Sequence, residues 1–315
     1  MSTTEERELL RQTVAALVDK HASPAAVRRA MDSQRGYDES LWTMLCEQVG
    51  VAALVVPEEF GGAGGELGDA ATVLEELGRN LVPSPLLGTM LAEIALLTAA
   101  APDTTTLDGL AAGSLIGTVA LDRDYVIAGD IADVVLAVEE DRIVRWTDPA
   151  VEPAHSLDPT RRLARIRPGG STEVGRDPGI ADTAAILLAA EQIGAAARCL
   201  ELTVEYTKQR VQFGRPIGSF QALKHRMADL YVEVQAARTV VGEAVAAPGP
   251  VSASLARVAA SEAFCAVAGE SIQLHGGIAI TWEHDMHLYF KRAHGSAQLF
   301  GPSREHLRRL EAEVL

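Results

Sequence analysis

A run of basic and aromatic residues in the last third of the chain has the composition of an anion-binding surface. Lys208 and Arg210 lie at the end of a long helical pattern and Arg215 follows it, and Phe213 lies between the two arginines. Cations suit the negative C-terminal end of a helix dipole, and guanidinium groups donate charge-assisted hydrogen bonds to phosphate oxygens. These residues predict a surface that can hold a pyrophosphate. A solvated helix end with a buried phenylalanine would show the same pattern and is the alternative interpretation.

A second stretch ends another predicted helix in two glycines. Gln273 and His275 directly precede Gly276 and Gly277 in the pattern QLHGG. Glycine lets the backbone approach a ligand closely because it has no side chain. The same pair is also an ordinary helix stop, so by itself it leaves both interpretations open.

Three regions of different character carry these stretches. Residues 1–105 and 181–315 show the apolar spacing of amphipathic helices. Residues 106–180 contain short β-rich runs separated by glycine, aspartate and proline, which is typical of a small β domain. The sequence therefore predicts a mainly α protein with an N-terminal helical domain, a short middle β domain and a C-terminal helical bundle.

Long helical patterns dominate the last region and predict an antiparallel bundle. They cover residues 182–211, 220–246 and 252–274, and short loops join them. The shorter predicted elements are helices over 5–21, 37–49, 67–77, 85–99, 284–293 and 303–315, and strands over 114–121, 125–127, 133–138 and 142–146.

Composition and charge exclude several classes of function. The chain has 315 residues, is 48% hydrophobic and carries a formal net charge of −15. Such acidity argues against binding to nucleic acids or to anionic membranes, and no uncharged apolar run reaches the ~20 residues of a membrane span. A polar, charged beginning is unlike a signal peptide. Three cysteines without a CxxC pair indicate reduced thiols, so we expect a cytoplasmic protein without a metal site.

Taken together, three stretches resemble the acyl-CoA dehydrogenase family. Residues 56–62, VPEEFGG, resemble the family's loop in the first domain. Residues 210–214, RVQFG, followed by Phe220 and Gln221, resemble its signature in the bundle, and residues 273–277 resemble a second signature. The resemblance covers most of the chain. It implies an N-terminal helical domain, a truncated middle β domain and a C-terminal four-helix bundle.

The resemblance also implies roles for these residues. In the family, the bundle of one subunit reaches across an interface to the FAD of its neighbour. By this analogy the cofactor-binding residues are Arg210 at the pyrophosphate, Gln212, Phe213 and Gln221 at the adenosine half, and Gln273, Gly276 and Gly277 through amide and backbone. The implied reaction removes the α proton of an acyl-CoA thioester and transfers a hydride from the β carbon to the flavin. An electron acceptor such as electron-transfer flavoprotein would then reoxidise the flavin.

The middle region departs from the family's pattern. Family members carry a Thr-Glu-Pro-Gly segment, a Gly-Ser-Asp segment and a later tryptophan near a threonine, which hold the flavin ring and the thioester. Here the corresponding residues 115–121 read LIGTVAL, and the region between 62 and 210 is short for the family. We therefore expect that this chain does not enclose a flavin ring on its own.

The usual catalytic base is missing as well. Alignment on Arg292 and Gln298 places Gly301 where the family has a glutamate, and glycine cannot abstract a proton. The position used by some other members corresponds to Ala184, which is equally inert. Glu191 lies seven residues further along the same helix face in apolar surroundings, and it is the remaining candidate base. A structural carboxylate inside the bundle is the alternative interpretation.

Residues 281–289, TWEHDMHLY, resemble a subgroup of short subunits from bacterial steroid and ring catabolism. In that subgroup two different chains form α2β2 heterotetramers, in which one chain supplies the ring site and the base, and the other supplies the contacts across the interface. We therefore predict a heteromeric subunit that works with a longer family member. Two alternatives stay open: a self-sufficient homomeric dehydrogenase with Glu191 or Glu283 as base, and a scaffolding subunit without flavin.

Overall fold

Helices, a sheet region and a helical bundle follow one another along the chain. The computed structural model describes residues 4–314. The predicted mainly α fold with a small middle β region is confirmed. Residues 1–3 and residue 315, which belong to the first and last predicted regions, lie outside the described residues.

Among the described residues, six α-helices make up most of the N-terminal region. The cap of the second is supplied by Ser23, whose side chain accepts a hydrogen bond from the Ala26 amide, and Pro24 occupies the first turn. Asp38 caps the third helix through the Leu41 amide. The bounds are α1 Thr4–His21, α2 Pro24–Met31, α3 Glu39–Met44, α4 Leu67–Arg79, α5 Leu86–Leu96 and α6 Thr104–Ala111.

The middle region consists of two small sheets that share an apolar core. One has the strand order β1-β3-β4-β7, with β1 and β3 parallel and the other pairs antiparallel, and the other is an antiparallel sheet in the order β2-β6-β5. Buried side chains from both sheets, among them Trp146 and Ile166, form the shared core. The strands are β1 Gly117–Ala120, β2 Val126–Ile127, β3 Val134–Glu139, β4 Arg142–Thr147, β5 Ala150–Ala154, β6 Leu163–Arg167 and β7 Gly170–Arg176.

The C-terminal region is a helical bundle built around α9. The helices α7 and α8 pack along α9, and α10 and α11 also contact it. A two-stranded hairpin projects from the end of α7. The bounds are α7 Ile180–Gln209, β8 Val211–Gln212, β9 Arg215–Pro216, α8 Gln221–Ala246, α9 Pro250–His275, α10 Met286–Ser296 and α11 Ser303–Val314.

Glycines let α7 approach α4 closely. A Cβ at Gly194 of α7 would lie 1.9 Å from the carbonyl oxygen of Glu75, and a Cβ at Gly78 of α4 would lie 2.2 Å from the carbonyl oxygen of Glu191. Both distances are far inside van der Waals contact, so each helix backbone packs against the other at a glycine. This contact fixes α7, which carries the predicted cofactor residue Arg210 at its end, against the N-terminal region.

Some short elements differ from the sequence-based expectation. The helices α2 and α6 and the strands β5 to β7 had no predicted counterpart, and α6 spans the predicted boundary at residue 105. The predicted helix over 37–49 begins later, at Glu39, and changes into a π-helical turn over Leu45–Val49. Gly50 then ends it with a φ of 75°, as expected for a glycine C-cap.

Two helical segments are long and apolar enough to span a membrane by length and composition alone. They are Ile180–Gln209 and Pro250–Ile280, and 78% and 56% of their apolar windows are buried inside the protein. Core helices of globular proteins meet the same criterion, and burial of both segments in the bundle accounts for their apolar composition.

Candidate functional site

The end of α7 and the following hairpin present cations and a flat apolar ring on the surface. Arg210 leaves the helix in an extended conformation, and Phe213 at the hairpin tip has a φ of 53° and is 92% exposed. The guanidinium carbon of Arg215 lies 4.0 Å from the ring centroid of Phe220, a cation–π contact that orients the arginine. The structure rules out the alternative of a buried phenylalanine at Phe213.

The two glycines after α9 form an open turn. Gly276 has a φ of 69° and a ψ of −152°, a conformation that favours glycine. A Cβ at Gly276 or Gly277 would meet no atom of the chain within 4 Å. The backbone of this turn is therefore accessible to a ligand or to a second chain.

The two surfaces lie next to each other although 66 positions separate Arg210 from Gly276 in the sequence. Tyr206, one turn before Arg210, donates a hydrogen bond from its hydroxyl to the carbonyl oxygen of His275 at 3.2 Å. Burial lowers the pKa of His275 and that of the neighbouring His284 below the ordinary histidine value, which favours the neutral form of both rings.

The seven residues predicted to bind the cofactor are all exposed to solvent in this chain. Together the residues offer a guanidinium group, side-chain amides, an aromatic face and an open glycine backbone, and these groups fit an anionic, partly aromatic dinucleotide such as FAD. The exposed residues are Arg210, Gln212, Phe213, Gln221, Gln273, Gly276 and Gly277.

Glu191, the candidate base, lies in a buried ionic network. Arg161 and Arg292 both donate to its Oε1 atom. Arg292 also pairs with Asp158 at 2.7 Å and donates to the carbonyl oxygen of Thr160 at 3.1 Å. The adjoining cavity of about 30 Å³ has room for water but not for an acyl thioester. This geometry favours the structural alternative, because the carboxylate would have to give up charge-assisted bonds before taking a proton.

Gly301 lies instead at the edge of a cleft of about 820 Å³ between the middle region and the last two helices. Its φ is 91°, and a Cβ there would lie 3.2 Å from Nε2 of His306 and 3.4 Å from Oε2 of Glu305. Glu305 therefore brings a carboxylate near position 301, where the resemblance to the family predicts a glutamate. Glu305 was not among the candidates predicted from the sequence. The available signal was its position four residues after Gly301, in the first turn of a helix.

Known proteins and structures resemble the chain over nearly its whole length. The family profiles described as acyl-CoA dehydrogenase N-terminal domain and C-terminal domain match residues 4–113 and 156–315. Acyl-CoA dehydrogenase IpdE2 from Mycobacterium tuberculosis (strain ATCC 25618 / H37Rv) is 69% identical over 100% of this chain and 99% of the relative.

Two solved structures have the same fold and are identical to this chain at more than a quarter of the aligned positions. A variant of the Tcur3481-Tcur3483 steroid ACAD superimposes with a TM-score of 0.91 at 27% identity and covers 98% of both chains. The ChsE4-ChsE5 complex from Mycobacterium tuberculosis superimposes with a TM-score of 0.89 at 26% identity and covers 99% of this chain and 98% of the other.

Proposed function

Because this chain belongs to the acyl-CoA dehydrogenase family of oxidoreductases that act on CH–CH bonds, we propose that it completes the FAD site of a partner subunit. The bound flavin would supply the hydride acceptor for α,β-dehydrogenation of an acyl-CoA thioester. This chain would contribute Arg210 and Phe213 at the cofactor and the backbone of the Gly276 turn, whereas the partner would supply the flavin-ring site and the catalytic base.

The exposure of the whole predicted set is the observation that carries this proposal. A cofactor site formed by one chain alone buries part of its contact residues, but all seven predicted contact residues are exposed in this chain. A second chain can reach every one of them. The glycine at position 301 and the short middle region support the same division of labour, because neither a base nor the family's ring-binding segments are found where the family has them.

Similar proteins indicate the substrate class that we propose. One structural relative is described as a steroid ACAD and another as a complex of two differently named chains. We therefore propose a bulky steroid-derived or other lipid acyl-CoA as substrate and a longer family member as partner, in an α2β2 assembly. Electron-transfer flavoprotein as acceptor and a cytoplasmic location stay predictions.

Replacing Arg210 tests the proposed cofactor contact. We expect Arg210→Ala to weaken FAD retention in the active assembly by about 1.5–3 kcal/mol, roughly 10- to 150-fold in the dissociation constant, because a charge-assisted bond to the pyrophosphate is lost. Flavin release on dilution, followed by fluorescence, measures it. The matched control is Arg176→Ala, which removes an 85% exposed arginine from the middle region. Equal flavin retention in both variants would contradict the assignment.

Glu305 gives one specific reason to keep a second candidate, the self-sufficient homomeric dehydrogenase. Its carboxylate and Gly301 both line the cleft of about 820 Å³, so a carboxylate is available there even though position 301 has none. In that case Glu305, rather than Glu191 or Glu283, would be the residue of this chain best placed to take the α proton. A homo-oligomer that binds flavin and loses turnover with Glu305→Gln would establish this alternative.

A further inference from the structure

Two separate segments of the chain carry the proposed cofactor contacts, and one side chain joins them. The Arg210 amide donates to the carbonyl oxygen of Tyr206 at 2.9 Å, so Tyr206 belongs to the last turn before the arginine. The Tyr206 hydroxyl donates to the carbonyl oxygen of His275 at 3.2 Å, immediately before Gly276. A single residue therefore bonds to the helix end at Arg210 and to the helix end at the glycine turn.

Ring contacts reinforce this link. The ring of Tyr206 is stacked on the ring of His275 with centroids 4.2 Å apart and an interplanar angle of 24°. It also forms an edge-to-face pair with the ring of His284, with centroids 6.2 Å apart. His275 is held in turn by its Nδ1 atom, 2.8 Å from the carbonyl oxygen of Ser271. The stack fixes the orientation of the α9 end relative to the α7 end, and the hydroxyl bond fixes their separation.

The N-terminal region holds the end of the segment that joins the glycine turn to α10. Arg28 of α2 pairs with Asp285 at 2.6 Å and donates to the carbonyl oxygen of His284 at 3.2 Å. The segment between Gly277 and α10 is therefore anchored at its end, while Tyr206 anchors its beginning. Because both anchors are formed within this chain, the turn is set before any ligand arrives.

We propose, on the basis of the function proposed above, that Tyr206 is a positioning residue for the partner's flavin: it sets the Gly276–Gly277 backbone at a fixed distance from Arg210. A ligand that contacts both places binds more tightly when the protein already holds the two in register. Tyr206 itself would touch no ligand and would act through His275 and the α7 backbone. Loss of the hydroxyl should loosen the turn and leave the α7 helix intact.

The first test compares Tyr206→Phe with the unchanged protein in the assembly that carries flavin. The variant keeps the stacked ring and removes only the hydroxyl. We expect a flavin dissociation constant raised about 3- to 10-fold, as for loss of one net hydrogen bond, with a thermal midpoint close to that of the unchanged protein. In flavin-free protein, the amides of residues 276–280 should exchange hydrogen faster than before. Unchanged flavin retention, or weakening matched by a general loss of stability, would overturn the proposal.

The second test is a double-mutant cycle with Arg210→Ala. If Tyr206 acts by holding the glycine turn in register with Arg210, Tyr206→Phe should cost markedly less flavin affinity once Arg210 is absent, so the two effects are not additive. Full additivity would overturn the positioning role while leaving the proposed function in place. No effect of Arg210→Ala by itself would overturn both.

Discussion

At the scale of single residues, Glu191 is a buried carboxylate that two arginines hold. Its place on the inner face of α7 and its burial follow from the apolar residues around it. Its partners do not, because Arg161 and Arg292 are 30 and 101 positions away in the sequence. Those partners distinguish a catalytic carboxylate from a structural one, and they become visible only when the middle region and the bundle are packed together.

Replacement of Glu191 should therefore affect stability rather than chemistry. We expect Glu191→Gln to destabilise the protein by about 3 kcal/mol, because Arg161 and Arg292 are left without the buried charge that they share. Turnover per bound flavin in the mixed assembly should stay within about twofold, measured on folded protein at a temperature well below its unfolding transition.

Glu305→Gln provides the companion measurement on the other candidate carboxylate. With catalysis in the partner subunit, it should change neither stability nor turnover, since Glu305 is exposed. Abolished turnover with flavin still bound, in either variant, would assign the base to this chain and would contradict the proposed division of labour.

At the scale of elements, apolar periodicity explains which helices and strands could be predicted from the sequence. The long helices α7, α8 and α9 lie within two residues of their predicted bounds because their apolar periodicity extends over many turns. The helices α2 and α6 have eight residues each, and four of the five residues of β5 are exposed, so neither periodicity nor apolar alternation reveals them. The exposed hairpin after α7 was recognised only as a loop, since its strands have two residues each.

The close approach of α4 and α7 gives a prediction at the same scale. We expect Gly194→Ala to lower the free energy of unfolding by about 1–3 kcal/mol, since its Cβ would collide with a backbone oxygen that cannot move without shifting a helix. Thermal or chemical denaturation measures the change.

Gly242→Ala in α8 is the matched control. It is the same substitution inside a helix, but a Cβ there would meet no atom of the chain within 4 Å. It should stabilise the helix by about 0.5–1 kcal/mol through helix propensity. Equal effects at the two positions would show that the α4–α7 contact does not constrain α7.

At the scale of the whole molecule, the proposed division of labour rests on an exposed surface and on a cleft beside a glycine. The surface of Arg210, Phe213 and the Gly276 turn is exposed, whereas the residue at position 301, beside the cleft, is a glycine without a side chain that could act as a base. The signature segments could be located from the sequence because each is a short run of consecutive residues. Their adjacency, by contrast, depends on a contact between Tyr206 and His275 that spans 69 positions.

This asymmetry leads to the central claim, that flavin is bound only when a partner chain contributes the ring site. The most direct measurement is the visible absorption spectrum and the native mass of this chain, expressed alone and then together with a longer family member encoded beside it. We predict that the lone chain is colourless, and that the mixed preparation is yellow at the mass of two copies of each chain. A yellow homo-oligomer of this chain with full dehydrogenase activity would contradict the claim.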